Sequence, residues 1–171
     1  KDRMIKVTKG LINITSGFIS QGSTDGQNFT DALFQDGPAD SLEKAVTEAL
    51  QKKVWLKSGG YLVIEPTEAL TVIDVNSGKY ESGKEAQETY RRINLEAAKE
   101  VAFQLRLRNL SGIIIVDFID MEREEDRKAL LAHLGDVVSK DPVKTTVVDM
   151  TALNLVELTR KKMRRPLHEQ V

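Results

Sequence analysis

YLVIEPTEALTVIDVN, residues 61–76, decides how this chain is read. Two segments rich in aliphatic and β-branched residues, YLVIEP and ALTVIDV, flank Pro66, Thr67 and Glu68, an arrangement that predicts a β-hairpin. Side chains alternate along a strand, so Asp74 and Asn76 share one face while Ile73 and Val75 take the other. An ionised carboxylate inside such an apolar pattern is costly unless a cation, a proton or several donors compensate it. Asp74 therefore calls for a partner from elsewhere in the chain.

Upstream, SLEKAVTEALQKKVWL carries Leu42, Ala45, Val46, Ala49 and Leu50 at helical spacing behind a candidate N-cap, Ser41. It predicts a helix over about 42–54. Residues 1–40 alternate weakly and pass through STDGQN and DGPADS. They read as a separate short β-rich segment of strands joined by turns. Downstream, the loop NSGKYESGKE leads into a helix over about 86–108, with Ile93, Ala97, Val101 and Leu105 on one stripe. SGIIIVDFID is an almost unbroken apolar run, the pattern of a strand covered on both faces. EREEDRKALLAHLGDVV predicts a helix over about 122–138, KTTVVDM a strand, and LNLVELTRKKMRR a terminal helix. Strands alternating with helices over residues 41–171 define an α/β class, a layered sheet flanked by helices.

With 171 residues, the chain fits one domain of ordinary size, or one with an appendage. Forty per cent apolar and 30 per cent charged residues belong to a soluble, globular composition. Lysine and arginine (25) nearly balance aspartate and glutamate (26), so any nucleic-acid surface is local. No cysteine is present, which excludes disulfides, thiolate zinc sites and cysteine nucleophiles, and fits a reducing compartment such as the cytoplasm. No apolar run is long enough to span a membrane and the start lacks a signal-peptide core. A first residue other than methionine fits a piece of something longer.

A candidate partner for Asp74 is Asp117, near the C-terminal end of the run IIIVDFID, with Asp120 just beyond it. If the two strands are neighbours, the carboxylates converge at one sheet edge. They would repel unless one holds a proton or a divalent cation lies between them. Magnesium suits such a pair, because it prefers oxygen ligands and takes one or two carboxylates plus substrate phosphate. Asn76 would then hydrogen-bond a water or a phosphate oxygen. The alternative is a pair of solvated or helix-capping acids at strand ends.

The phrases SGGYLVIEPTEALTVIDVNSGKY, NLEAAKEVAFQLRLRNLSG, IIIVDFIDM and LVELTRKK together resemble the ribonuclease E/G family, in its order and spacing from about Ser41 to about Arg165. That stretch is similar to the DNase I-like subdomain of the family's catalytic region. The resemblance implies endonucleolytic cleavage of single-stranded, A/U-rich RNA by a magnesium-activated water, leaving a 5′-monophosphate and a 3′-hydroxyl. It implies roles in RNA processing and decay, manganese as a substitute metal, and a homo-oligomer in the full-length enzyme. Asp74 and Asp117 match the family's two metal-binding aspartates, and Asn76 the asparagine beside the scissile phosphate.

Departures from the family's pattern are equally specific. The RNA-binding subdomain and 5′-phosphate sensor that precede this region do not fit in residues 1–40, which are an RNase H-like remnant or unrelated sequence. The paired cysteines that share zinc between subunits are missing, so no zinc site is expected in this catalytic core fragment. Lys144 stands where the resemblance implies an arginine that senses the RNA end, and Asp149 near a position often taken by histidine. Lysine keeps the charge but loses the planar fork that grips phosphate. A scaffold or dimerisation module, inactive without the RNA-binding subdomains, is the alternative to an active enzyme.

Candidate RNA contacts are Lys79, Lys84, Arg106 and Arg108 around the acids, Lys144, and the basic tail Arg160, Lys161, Lys162, Arg164 and Arg165. Basic residues at the end of a helix are equally a response to its dipole. Aromatic residues make up only 5 per cent, which argues against a base-stacking platform, and Tyr80 and Tyr90 read as packing residues. His133 and His168 lack the partners of a histidine-based hydrolase, and the glycines at 59, 60, 78 and 83 read as turns rather than a phosphate loop.

Overall fold

The computed structural model describes residues 40–79 and 86–170. The expected strands of residues 1–40, and Tyr80, Gly83 and Lys84, lie outside the described residues. Two compact units divide the chain. Of the described residues, the first holds 40–51, Arg106–Asn109 and 165–170; the second holds 52–79, 86–105 and Leu110–Arg164.

In the first unit, helix α1 spans Asp40–Ala49, with Ala45, Val46 and Ala49 buried as the helical spacing requires. It begins before Ser41, so that residue is inside the helix rather than its cap. The helix also stops short of residue 54. Lys53–Trp55 is instead a short strand, β1, in the second unit. Val54 and Trp55 favour the extended backbone, and pairing with the next strand outweighs continuation of the helix.

The second unit is a six-stranded mixed sheet. β2 (Tyr61–Pro66) and β3 (Leu70–Asn76) form the expected hairpin, closed by Thr67, whose N–H and hydroxyl both donate to the Leu70 carbonyl. Helix α2 (Ala86–Leu107) carries the chain from β3 to β4 (Gly112–Asp117), which lies parallel to β3. α3 (Glu124–Ser139) then leads to β5 (Thr145–Met150) and β6 (Leu155–Arg160). Strand order is β1-β2-β3-β4-β6-β5, and β3–β4 is the one parallel pair among the described strands.

The expected terminal helix is thus corrected to strand β6, followed by residues 161–166 without regular structure. β6 inserts between β4 and β5 and pairs antiparallel with both. Val156, Leu158 and Arg160 are buried at every second residue, a period-two pattern that the helical reading overlooked. A helix there would have left two strand edges without partners.

One face of the sheet is the core. Leu62, Ile64, Ile73, Ile114, Val116, Val156 and Leu158 are fully enclosed with the α2 stripe Ile93, Ala97, Val101 and Leu105 and with Leu130, Leu134 and Val138 of α3. Each large side chain buried this way contributes about 1.5–3 kcal/mol. The sum locks the register, because a slip of one residue would exchange Ile73 and Val75 for Asp74 and Asn76 in the core. The other face is open among the described residues. Ile113 is 50% exposed and Ile115 half-buried, so β4 is not covered on both sides as its apolar run suggested.

Candidate functional site

The two aspartates meet. Asp74 and Asp117 are direct register partners on the parallel strands β3 and β4, both on the open face near the strands' C-terminal ends. Asp74 is half-buried rather than enclosed, and Asp117 is exposed, so the cost of the carboxylates is met partly by solvent. Asn76 shares their face, and its Nδ2 donates to Asp74 Oδ2 at 2.8 Å, fixing which lone pairs Asp74 leaves free. Partial burial, then the negative charge of Asp74, then that of Asp120, push the Asp117 carboxyl above its ordinary range. Three acids in one corner create a local field that favours a cation. Asp120 also accepts a hydrogen bond from Asn154 Nδ2 at 3.3 Å.

Among the described residues no group of three or more histidine, aspartate or glutamate side chains is placed to hold a metal by itself. Two carboxylates with a neighbouring amide nevertheless fit magnesium. That ion keeps several waters and completes its shell with substrate phosphate, so a full protein cage is not required.

Several residues that sequence reasoning passed over hold this corner in place. Asn94 is fully buried on α2 and clamps the segment after Asp117, donating to the Ile119 carbonyl at 2.8 Å and accepting from the Ile119 N–H at 3.0 Å. Arg127 grips the same segment through the Met121 carbonyl at 2.6 Å. On the β3 side, a Cβ on Gly60 would lie 2.8 Å from the Asn76 carbonyl oxygen and 3.0 Å from Ile93 Cγ2. Gly78, at φ +71°, comes against the Gly59 carbonyl. These glycines do form turns, as read, but their purpose is to let two loops press together behind Asn76. Glu96 ties the first loop to α2 by accepting from the Lys57 N–H at 2.7 Å. A polar residue within an apolar helical stripe, as with Asn94, was the available signal.

The basic candidates separate. Lys79 is exposed three residues beyond Asn76, at the acid end of the sheet. Lys144, Arg160 and Lys161 lie at the other end, where Thr145 and Gly112 pair with Arg160, a strand length of roughly 16 Å from Asp117. Arg160 is not offered to a phosphate. Its side chain is buried, with Nε 2.7 Å from Asp141 Oδ2 and Nη1 3.0 Å from the Leu110 carbonyl. Arg108, in the first unit, is likewise buried and donates to the Gln51 carbonyl at 2.6 Å. Arg106 is half-buried in the last turn of α2, whereas Lys162, Arg164 and Arg165 are exposed. With strand β6 in place of the expected terminal helix, the basic tail does not stand at the C-terminal end of a helix and the dipole explanation lapses. His133 is half-buried on α3, and burial, then the charge of Lys99, hold its pKa below the ordinary histidine value.

Residues 31–163 match the Ribonuclease E/G family. The chain belongs to that family. It is 52% identical over 126 residues to a ribonuclease G of Haemophilus influenzae, an alignment covering 74% of this chain and 26% of the relative. It is 49% identical over 128 residues to a ribonuclease E of a Nostoc species, covering 75% and 19%. A ribonuclease G of Escherichia coli is 42% identical over 164 residues, covering 93% and 32%. The chain therefore spans between about a fifth and a third of the length of these ribonuclease E/G relatives, and Asp74, Asn76 and Asp117 all fall within the family match. Among the described residues no helix is long and apolar enough to cross a membrane.

Proposed function

We propose that this chain is the metal-binding catalytic core of an endoribonuclease that hydrolyses single-stranded, A/U-rich RNA to 5′-monophosphate and 3′-hydroxyl ends. The carrying observation is the side-by-side placement of Asp74 and Asp117 in one register row, with Asn76 hydrogen-bonded to Asp74. Relatives named ribonuclease G and ribonuclease E supply the reaction class. Magnesium, held by Asp74 and Asp117 and replaceable by manganese, supplies Lewis acidity toward a phosphate oxygen and a lowered pKa for water. Asn76 orients Asp74 and, through its remaining hydrogen-bonding capacity, the phosphate. Lys79 lies within a few residues of the same corner to meet the RNA backbone. With one face closed by α2 and α3, the open face is the side from which RNA reaches the acids. The reading places the protein in cytoplasmic RNA processing and decay, within a homo-oligomer of the full-length enzyme.

A second reading follows from the share of its relatives that the chain spans. Such a piece can serve as a scaffold or dimerisation module of the enzyme, without turnover of its own. One assay separates the two. A 5′-labelled A/U-rich oligonucleotide is incubated with the chain in magnesium or in chelator, and with Asp74→Asn and Asp117→Asn. Catalysis predicts magnesium-dependent cleavage to 5′-monophosphate products, reduced on the order of 10³-fold in either variant. No magnesium-dependent cleavage by the parent chain supports the scaffold, and cleavage unchanged in both variants overturns the metal site.

A further inference from the structure

The open face carries a second feature beside the row of acids. Trp55 on edge strand β1 is 63% exposed, and its ring centroid is 5.2 Å from that of Tyr61 on β2. Lys53 Nζ sits over both rings, 4.1 Å from the Trp55 centroid and 3.6 Å from the Tyr61 centroid. Such an arrangement at a sheet edge leaves a large apolar ring in water, where it would cost free energy unless something covers it.

Register ties this group to the candidate site. Trp55 pairs with Tyr61, and Tyr61 with Asn76, in one row across β1, β2 and β3. The adjacent row on the same face is Lys53, Val63, Asp74, Asp117 and Leu155. Two strand spacings separate Trp55 from Asn76, roughly 10 Å. That is a reach of roughly one or two nucleotides of extended single strand. The chemistry is that of a single-stranded nucleic-acid surface, with an aromatic face for a base and an ammonium group for its phosphate.

We propose that Trp55, backed by Tyr61 and Lys53, is a base-stacking subsite for single-stranded RNA, holding a nucleotide one or two positions from the phosphate at Asp74 and Asp117. The proposal rests on the ribonuclease reading for the identity of the ligand, but its residues lie on β1 and β2 and touch no reacting atom. Trp55 and Tyr61 are positioning residues. Stacking is tolerant of base identity, so the subsite contributes affinity and places the scissile phosphate more than it selects sequence.

Trp55 is the only tryptophan in the sequence, so its emission reports directly on the subsite. The 171-residue chain is titrated with a fluorescein-labelled A/U-rich RNA decamer in chelator, following RNA anisotropy and, with unlabelled decamer, tryptophan emission. Saturable quenching is expected, and it is retained in Asp74→Asn. Trp55→Ala raises Kd roughly 5- to 100-fold, while Trp55→Phe keeps most of the affinity. An abasic ribose moved along the decamer weakens binding most at one position, and Trp55→Ala loses that sensitivity.

RNA binding seen by anisotropy without a change in emission overturns the subsite. So does an unchanged Kd and abasic profile in Trp55→Ala, or no binding at the highest RNA concentration reached. Emission that changes with protein concentration in the absence of RNA overturns it too, assigning the patch to contact between copies. Loss of cleavage in Asp74→Asn with an indifferent Trp55→Ala leaves the ribonuclease reading and removes the subsite. The reverse pattern leaves the subsite and removes the metal centre.

Discussion

Two pairs of charged residues sit at opposite ends of the same sheet, and their fates are opposite. At one end Arg160 and Asp141 meet at 2.7 Å with side chains 3% and 4% exposed, and the Leu110 carbonyl takes a further guanidinium donor. At the other, Asp74 and Asp117 lie side by side with the same sign of charge, on the open face, with one amide hydrogen-bonded to Asp74. The first pair satisfies itself and therefore serves the fold. The second lies partly in solvent and meets the Asn76 amide, and the neighbouring negative charges push the Asp117 carboxyl above its ordinary range. A buried charge that finds its counter-charge within the chain serves the fold, whereas like charges held together by strand register make the candidate cation site proposed above.

Breaking the closed pair gives the largest expected effect on stability. Arg160→Met leaves Asp141 buried without its counter-ion and is expected to cost about 3–5 kcal/mol in urea unfolding. Replacing both residues by apolar ones of similar volume is expected to restore much of that loss. If Arg160→Met alone were neutral, the distinction between the two ends would collapse.

A smaller effect is expected where the fold presses on the open pair. Gly60→Ala places a methyl against the Asn76 carbonyl and Ile93, costing about 1–3 kcal/mol as overpacking. Because Asn76 moves with that carbonyl, RNA cleavage should fall more than stability does. Thermal melting and cleavage rates measured on the same preparation decide this, since a purely structural glycine would affect melting alone.

The smallest effect sharpens the comparison most. Asp117 has a folded-state pKa above its unfolded value, so its contribution to stability is full below the unfolded value and is lost as pH rises through the folded one. Without metal, Asp117→Asn should therefore be more stable than the parent at neutral pH. The advantage should shrink as the pH falls toward the carboxylate range. Solvent around this exposed residue keeps it on the order of a few tenths of a kcal/mol. Magnesium added at neutral pH should narrow the gap by favouring the parent. Melting curves across pH, with chelator and with magnesium, provide the measurement.

Much of this architecture is legible from local pattern. Alternation within 61–76 gives the hairpin and places Asp74 and Asn76 on one face, and the stripe from Ile93 to Leu105 gives α2. Where pattern failed, a non-local term had decided. LVELTR fits a helical period through Leu155 and Leu158 and a strand period through Val156 and Leu158, and only the vacant edges of β4 and β5 choose between them. KVW is too short to declare itself against the preceding helix without β2 beside it. Charge was the least legible property. Arg108, Arg160 and Lys79 look alike as basic residues, yet the first two are buried with internal acceptors and the third is exposed three residues beyond Asn76. A low aromatic content likewise concealed the fact that Trp55 and Tyr61 share one row.

By itself, the sequence determined which residues are candidates for the chemistry and on which side of their strand Asp74 and Asn76 stand, because period and side-chain type are local properties of the chain. That Asp74 faces Asp117 across forty-three positions, that Arg160 closes on Asp141, and that Trp55 reaches the row of Asn76 are decisions of strand order and register. The apolar face sets that register, since a slip would lose the burial of Ile73 and Val75 and also put Asp74 and Asn76 into the core, and the polar residues follow to the open side.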